Sequence, residues 1–221
     1  MPRGLDPVIK ELRELILLMG GRAEAILQKS VRTLQERDAQ LANEVERDDL
    51  EVDRLDVQVD EEVLRVLALQ APVASDLREV VAIKMIATDL ERVGDLARNI
   101  AKSATRLSMH TEVVLPGSLV RLAERAGSAL RQALDAFSEC DAEAARAVLD
   151  LDDAIDAAED EVIREALEWI AGNPDQASPG VDLILVAKNL ERVGDHATNI
   201  AEDVILMAEA RNVKHAAKLS S

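Results

Sequence analysis

The stretch LERVGDLARNIA at residues 90–101 returns as LERVGDHATNIA at residues 190–201, with ten of the twelve positions identical. A repeat of this length constrains the fold more than any bulk property, because the chain must consist of two like supersecondary units. The correspondence extends outward. Residues 81–101 align with 181–201, and at an offset of 103 Leu27, Val31 and Leu34 meet Leu130, Leu134 and Phe137. At the same offset Asp38 meets Asp141, while Val45, Asp49, Val52 and Asp53 meet Val148, Asp152, Ile155 and Asp156. The offset changes by three between Leu69 and Val81, where a connection is expected. The chain is therefore read as a tandem duplication, with one unit at 1–112 and the other at 113–221.

Apolar residues recur at three- and four-residue steps throughout, as on one face of a helix. In the first unit this predicts helices over about 7–35, 38–69 and 76–109. The first carries Leu12, Leu15, Ile16, Met19, Ala23, Ile26 and Leu34, with a possible bend at Gly20 and Gly21. Asp38 is placed as N-cap of the second and Ser75 as cap of the third. The second unit repeats the pattern over about 118–138, 142–171 and 179–211, its turns marked by LPG at 115–117 and GNPDQASPG at 172–180. The polar tail from Asn212 is expected to fray. With only Phe137 and Trp169 as aromatics, and no alternating strand pattern, the expected fold is all-α: two three-helix bundles in series, each with its own core.

The net charge of −17 repels phosphate backbones and anionic headgroups, which excludes nucleic acid as a natural partner. The longest apolar runs, such as residues 15–19, fall far short of the roughly 20 residues that span a bilayer. Cys140 stands alone, so no internal disulfide forms. A protein in the cytoplasm, without direct membrane insertion, is expected.

The acids are arranged. On a wheel of about 100° per residue, Ile83, Ile86, Leu90, Val93, Ala97 and Ile100 share one side of the third helix, and Glu91, Asp95 and Asn99 share the other. Asp49, Asp53, Asp56 and Asp60 form a second column beside the apolar stripe of the second helix. At about 1.5 Å rise per residue, counting from the turn puts Asp53 level with Glu91, and Asp49 level with Asp95, in an antiparallel pair. Asp152, Asp156 and Glu159 face Glu191, Asp195 and Asn199 in the second unit, about one turn less well levelled by the same count. No cation is evident among these acids, although Arg92 and Arg192 stand next to the glutamates and are placed to swing over them. Such carboxylates repel one another unless they take protons or a metal, and their hard oxygens suit Mg²⁺, Mn²⁺, Ca²⁺ or ferric iron. Gly94 and Gly194 each cost their helix about 1 kcal/mol relative to alanine, which points to a need for space. His196, turned about 100° from Asp195, is a poor ligand candidate.

At LERVGD…NIA in both units, and at LALQAPVASDLR over 67–78, the sequence resembles the PhoU family of accessory regulators of phosphate-specific transport. That resemblance spans nearly the whole chain. It implies two three-helix bundles whose E/D-x-x-x-D motifs hold multinuclear clusters of iron or another metal, manganese and magnesium among them. On this sequence the motifs are Asp49 with Asp53, Glu91 with Asp95, Asp152 with Asp156, and Glu191 with Asp195, with Asn99 and Asn199 as possible further ligands. It also implies a homodimer that restrains phosphate uptake and starvation signalling. The implied partners are the ATPase subunit of the phosphate ABC transporter and the sensor histidine kinase. Two other readings stand beside this regulator. A ferritin-like di-metal enzyme would need Glu-x-x-His pairs facing a bundle core, and none of the three histidines has Glu three residues earlier. A metal-free scaffold would use the acidic columns to bind basic partner surfaces directly.

Overall fold

The structure, a computed structural model, describes residues 5–110, 113–174 and 177–214. Its helices are α1 (Asp6–Glu36), α2 (Ala39–Gln70), α3 (Ser75–Ser108), α4 (Gly117–Glu139), α5 (Ala142–Leu149), α6 (Asp152–Gly172) and α7 (Ala177–Glu209). No strand occurs among the described residues. Six helical rods are present, as the periodicity predicts, but the fifth is interrupted and forms α5 and α6. The break falls at Asp150 and Leu151, which keep helix-like dihedrals but form a turn, and α6 begins there without a side-chain cap. Asp152 and Asp153 then occupy the first turn of α6, where negative charge is favourable.

The duplication reaches into backbone detail. Arg37 and Cys140, equivalent at the offset of 103, are left-handed C-caps with φ of 53° and 52°. Each is followed by an aspartate N-cap: Asp38 accepts from the Gln40 N–H, and Asp141 from the Glu143 and Ala144 N–H groups. Ser75 does not cap α3. It is the first helical residue, and the preceding Ala74 turns the chain at φ 50°.

Gly20 does not interrupt α1, which runs unbroken for 31 residues. A Cβ there would lie 2.5 Å from Leu134 Cδ2, so this glycine lets α4 approach α1 closely. The bundles are also not separate at their cores. Buried residues of both units form one continuous cluster, and α3 packs most extensively on α7. Arg106 on α3 reaches Asp182 on α7, while Asp89 on α3 reaches His196 and Asn199, so the two helices run antiparallel. Covered by α1, α2 and α7, α3 buries Ala82, Leu96 and Ala104 as well as its predicted stripe. Nor is the tail frayed as far as Lys214: Ala210 turns back at φ 57°, Val213 packs on the core, and Lys214 pairs with Asp203 at 2.8 Å. Residues 215–221 lie outside the described part.

Candidate metal-binding clefts

The register of α2 on α3 is set by side chains around the acids. Lys84 Nζ lies 3.2 Å from Asp56 Oδ1 and 2.5 Å from Asp60 Oδ1, and a Cβ on Gly94 would fall 3.5 Å from Val52 Cγ1. Asp53 and Asp95 are thereby brought close enough to Asp49 and Glu91 to push those two carboxyls up. In the second bundle Gly194 faces Ile155, the equivalent of Val52, so the register is the same. The predicted one-turn offset is absent, in part because α7 begins at Ala177, two residues before the expected start.

Not all of the acids face outward. Asp49 is only 1% exposed and Glu159 only 5%. Gly94 explains the first: an alanine Cβ would stand 2.7 Å from Asp49 Oδ1, so the mid-helix glycine is the space into which this carboxylate fits. Gly194 serves a different neighbour, since its Cβ would meet Ile155 Cδ1 at 2.9 Å. The two glycines should therefore respond differently to one extra methyl. Gly94→Ala is expected to lose about 1–2 kcal/mol, overpacking against a pinned carboxylate outweighing the gain in helix propensity. Gly194→Ala should lose less, under about 1 kcal/mol, because the Ile155 Cδ1 end can turn aside and Cγ2 at 3.1 Å need give only slightly. Equal losses in urea denaturation would contradict this assignment.

A cation does stand among the first set. Arg98 donates from Nη1 to Asp49 and from Nη2 to Asp95 Oδ1 at 2.5 Å, bridging α2 and α3. Arg92 also reaches over, to 3.5 Å from Glu91 and 3.7 Å from Asp95, although it is largely exposed and this contact is weak. The second cleft differs. Thr198 replaces Arg98 and turns its hydroxyl back to the Asp195 carbonyl at 2.8 Å. Lys188 pairs with Glu159 at 2.7 Å, away from Asp152. Asn199 donates to Asp89 Oδ1 at 3.2 Å and is turned toward the α3–α7 seam, while Asn99 is exposed.

The titration behaviour follows these contacts. Burial pushes the Asp49 carboxyl up, Arg98 pulls it down, and Asp53 and Asp95 push it further up. Burial and then Asp95 raise Glu91. In the second cleft burial and Asp156 raise Asp152, and the same two causes raise Asp195 against the pull of His196 and Arg192. Glu191 is lifted to about 7 by burial, Asp195 and Glu159. Negative charge in the second cleft is thus the less well compensated. Among the described residues, however, no three His, Cys, Asp or Glu side chains gather closely enough to hold one ion.

Sequence reasoning missed Arg98, although Arg98 against Thr198 is one of only two differences between the repeated twelve-residue segments. It also missed the seam. His196 Nδ1 lies 2.7 Å from Asp89 Oδ1, with both side chains 15% exposed. The signal available was Leu96 at the equivalent position, an apolar residue that marks a buried face.

Comparison with known proteins bears on the whole assembly. The PhoU domain matches twice, over residues 16–104 and 119–204. A phosphate-specific transport system accessory protein PhoU homolog of Rhizobium meliloti is 39% identical over 92% of this chain and 86% of its own length. A homolog of the same name in Pseudomonas putida is 36% identical over 94% of this chain and 81% of its own. The crystal structure of PhoU from Pseudomonas aeruginosa superposes with a TM-score of 0.90 at 33% identity, covering 94% of this chain and all of that one. The phosphate transport system regulatory protein PhoU from Streptococcus pneumoniae gives 0.86 at 26% identity, covering 95% of this chain and 99% of that one.

Proposed function

This chain belongs to the PhoU family of phosphate-transport accessory proteins, and from that premise we propose that it is a non-enzymatic, metal-binding regulator that restrains phosphate uptake and phosphate-starvation signalling. The observation that carries the reading is the match, over more than nine-tenths of the chain and in both repeats, to accessory proteins of phosphate-specific transport. It works in the cytoplasm, as a homodimer, by contact with the ATPase subunit of the phosphate ABC transporter and with the sensor histidine kinase. A net charge of −17 suits partners with basic faces. No described helix is long and apolar enough to cross a membrane, in keeping with action through membrane-bound partners.

Asp152, Asp156, Glu191 and Asp195 are the residues that would hold the metal. Their oxygens suit iron, manganese or magnesium, and the raised carboxyl pKa values of Asp152, Glu191 and Asp195 mark charge that a cation would relieve. A bound cation would supply positive charge and tie α6 to α7. The residues themselves present the ligand oxygens and set the spacing of the two helices.

A second reading, an acidic scaffold without metal, is favoured by one observation: the acids do not converge on an ion-sized point. Protein purified anaerobically separates the two. Stoichiometric metal in the parent, lost in the Glu191→Ala, Asp195→Ala double variant, is the expected outcome. Metal-free double variant that still bound the ATPase subunit normally would count against the scaffold. Deleting the gene should raise phosphate uptake in phosphate-replete cells, and unchanged uptake would refute the regulatory role.

A further inference from the structure

The two clefts share one register and equivalent acids, yet they differ in the side chain that lies between the two aspartates at the centre. In the first, the Arg98 guanidinium lies between Asp49 and Asp95 and bonds to both. Asp49 is 1% exposed and seated in the gap left by Gly94, so this carboxylate cannot turn out to solvent for its counter-charge. Lys84 serves Asp56 and Asp60, and Arg92 is mostly exposed. In the second cleft the equivalent of Arg98 is an uncharged threonine bonded to its own helix. Lys188 is engaged by Glu159 there, Arg192 is exposed, and Ile155 covers Gly194 where the first cleft has a carboxylate.

From this we infer that Arg98 is a built-in counter-cation: in the first cleft the guanidinium does the work of a bound metal ion, and that cleft takes no metal. A guanidinium is permanently charged and presents parallel donors that match two carboxylates, so it ties α2 to α3 as a shared cation would. A divalent ion entering beside it would meet a like charge at close range. The duplication has thus produced one self-neutralised cleft and one that still lacks a central cation. The inference leans on the metal-binding reading only for the second cleft.

The test is a reciprocal exchange, Arg98→Thr and Thr198→Arg, in the full chain, with Mn²⁺ as the probe. Arg98 borders an open groove of about 290 Å³ with Asn43, Glu46 and Lys102, so its truncation opens toward solvent and leaves the core intact. Metal content and calorimetric titration should show parent Mn²⁺ binding that is lost on Glu191→Gln and unaffected by Glu91→Gln. Arg98→Thr should melt about 10 °C lower in chelator and recover on adding Mn²⁺, with an added equivalent of bound metal. Thr198→Arg should weaken Mn²⁺ binding about tenfold or more. Parent binding that depended on Glu91, or an Arg98→Thr variant indifferent to Mn²⁺, would overturn the inference. If the parent bound no Mn²⁺ at all, the metal reading proposed above would fail. An Arg98→Thr variant that then bound it would still uphold the role of Arg98, and one that did not would end it.

Discussion

Replacing Phe137 with alanine is expected to cost about 4 kcal/mol of folding stability, the upper range for truncating a buried side chain. Phe137 is the only phenylalanine and is fully buried, and it heads the largest side chains that the interior holds. Its position matters as much as its volume. It lies near the C-terminal end of α4, and Arg13 of α1 sits over its ring, 5.5 Å from the centroid. The same guanidinium donates to the Phe137 and Ser138 carbonyls at 3.2 and 3.1 Å and to Glu79 of α3 at 3.2 Å. Through Arg13 the end of α4 is thus tied to α1 and α3 of the other repeat, where a cavity is not readily closed by collapse. Urea denaturation should show the loss directly, and heat denaturation should show a fall of about 8–16 °C. Phe137→Leu, which keeps most of the volume, should lose less than about 1.5 kcal/mol. A loss below that for the alanine variant would mean that the helix ends close over the gap.

The second large effect is that of Lys214→Ala, expected to lose about 3 kcal/mol at pH 8 and far less at pH 4. Asp203 has no measurable exposure, and Lys214 at 2.8 Å is its counter-charge, delivered by a tail that doubles back on α7. Burial holds the Asp203 carboxyl up at about 6 even with Lys214 in place, with Asp89 and Glu202 adding to the rise. A folded-state pKa above the unfolded value means that the native protein holds this proton more tightly. Stability from this group is therefore full below about pH 4 and declines as pH rises toward 6. Removing Lys214 lifts the folded-state pKa further and extends the decline to higher pH. At low pH the carboxyl is protonated either way and the deficit shrinks. Asp203→Asn in the Lys214→Ala background should restore most of the loss at pH 8. A deficit of equal size at both pH values would show that Lys214 acts through packing of its stem and not through charge.

How much of this was legible in the sequence depends on the range of the interactions. Helix positions, the Asp38 cap and the level pairing of Asp49 with Asp95 follow from local residues, periodicity and a rise per residue, and they are present. The break at Asp150 was not legible there, since aspartates also occupy the second helix of the first repeat, where the helix continues. What periodicity does not carry is the packing of one repeat on the other. The α3–α7 seam, with Asp89, His196, Asn199 and the Arg106–Asp182 pair, joins residues from separate repeats. The seam is also why Asn199 turns from the cleft. Arg98 belongs to a third kind. Its spacing from Asp95 is visible on a wheel, but its reach to Asp49 depends on the depth at which Asp49 is buried, which Gly94 decides and the wheel does not show.

The buried core shared by the two repeats where α3 packs on α7 has a consequence for how the molecule can be divided. A break in the backbone between Met109 and Gly117 would release two pieces, each presenting a long greasy flank that water penalises and that only the other half matches. The halves are therefore each other's obligate complement, two copies of one ancestral unit that share a single buried core.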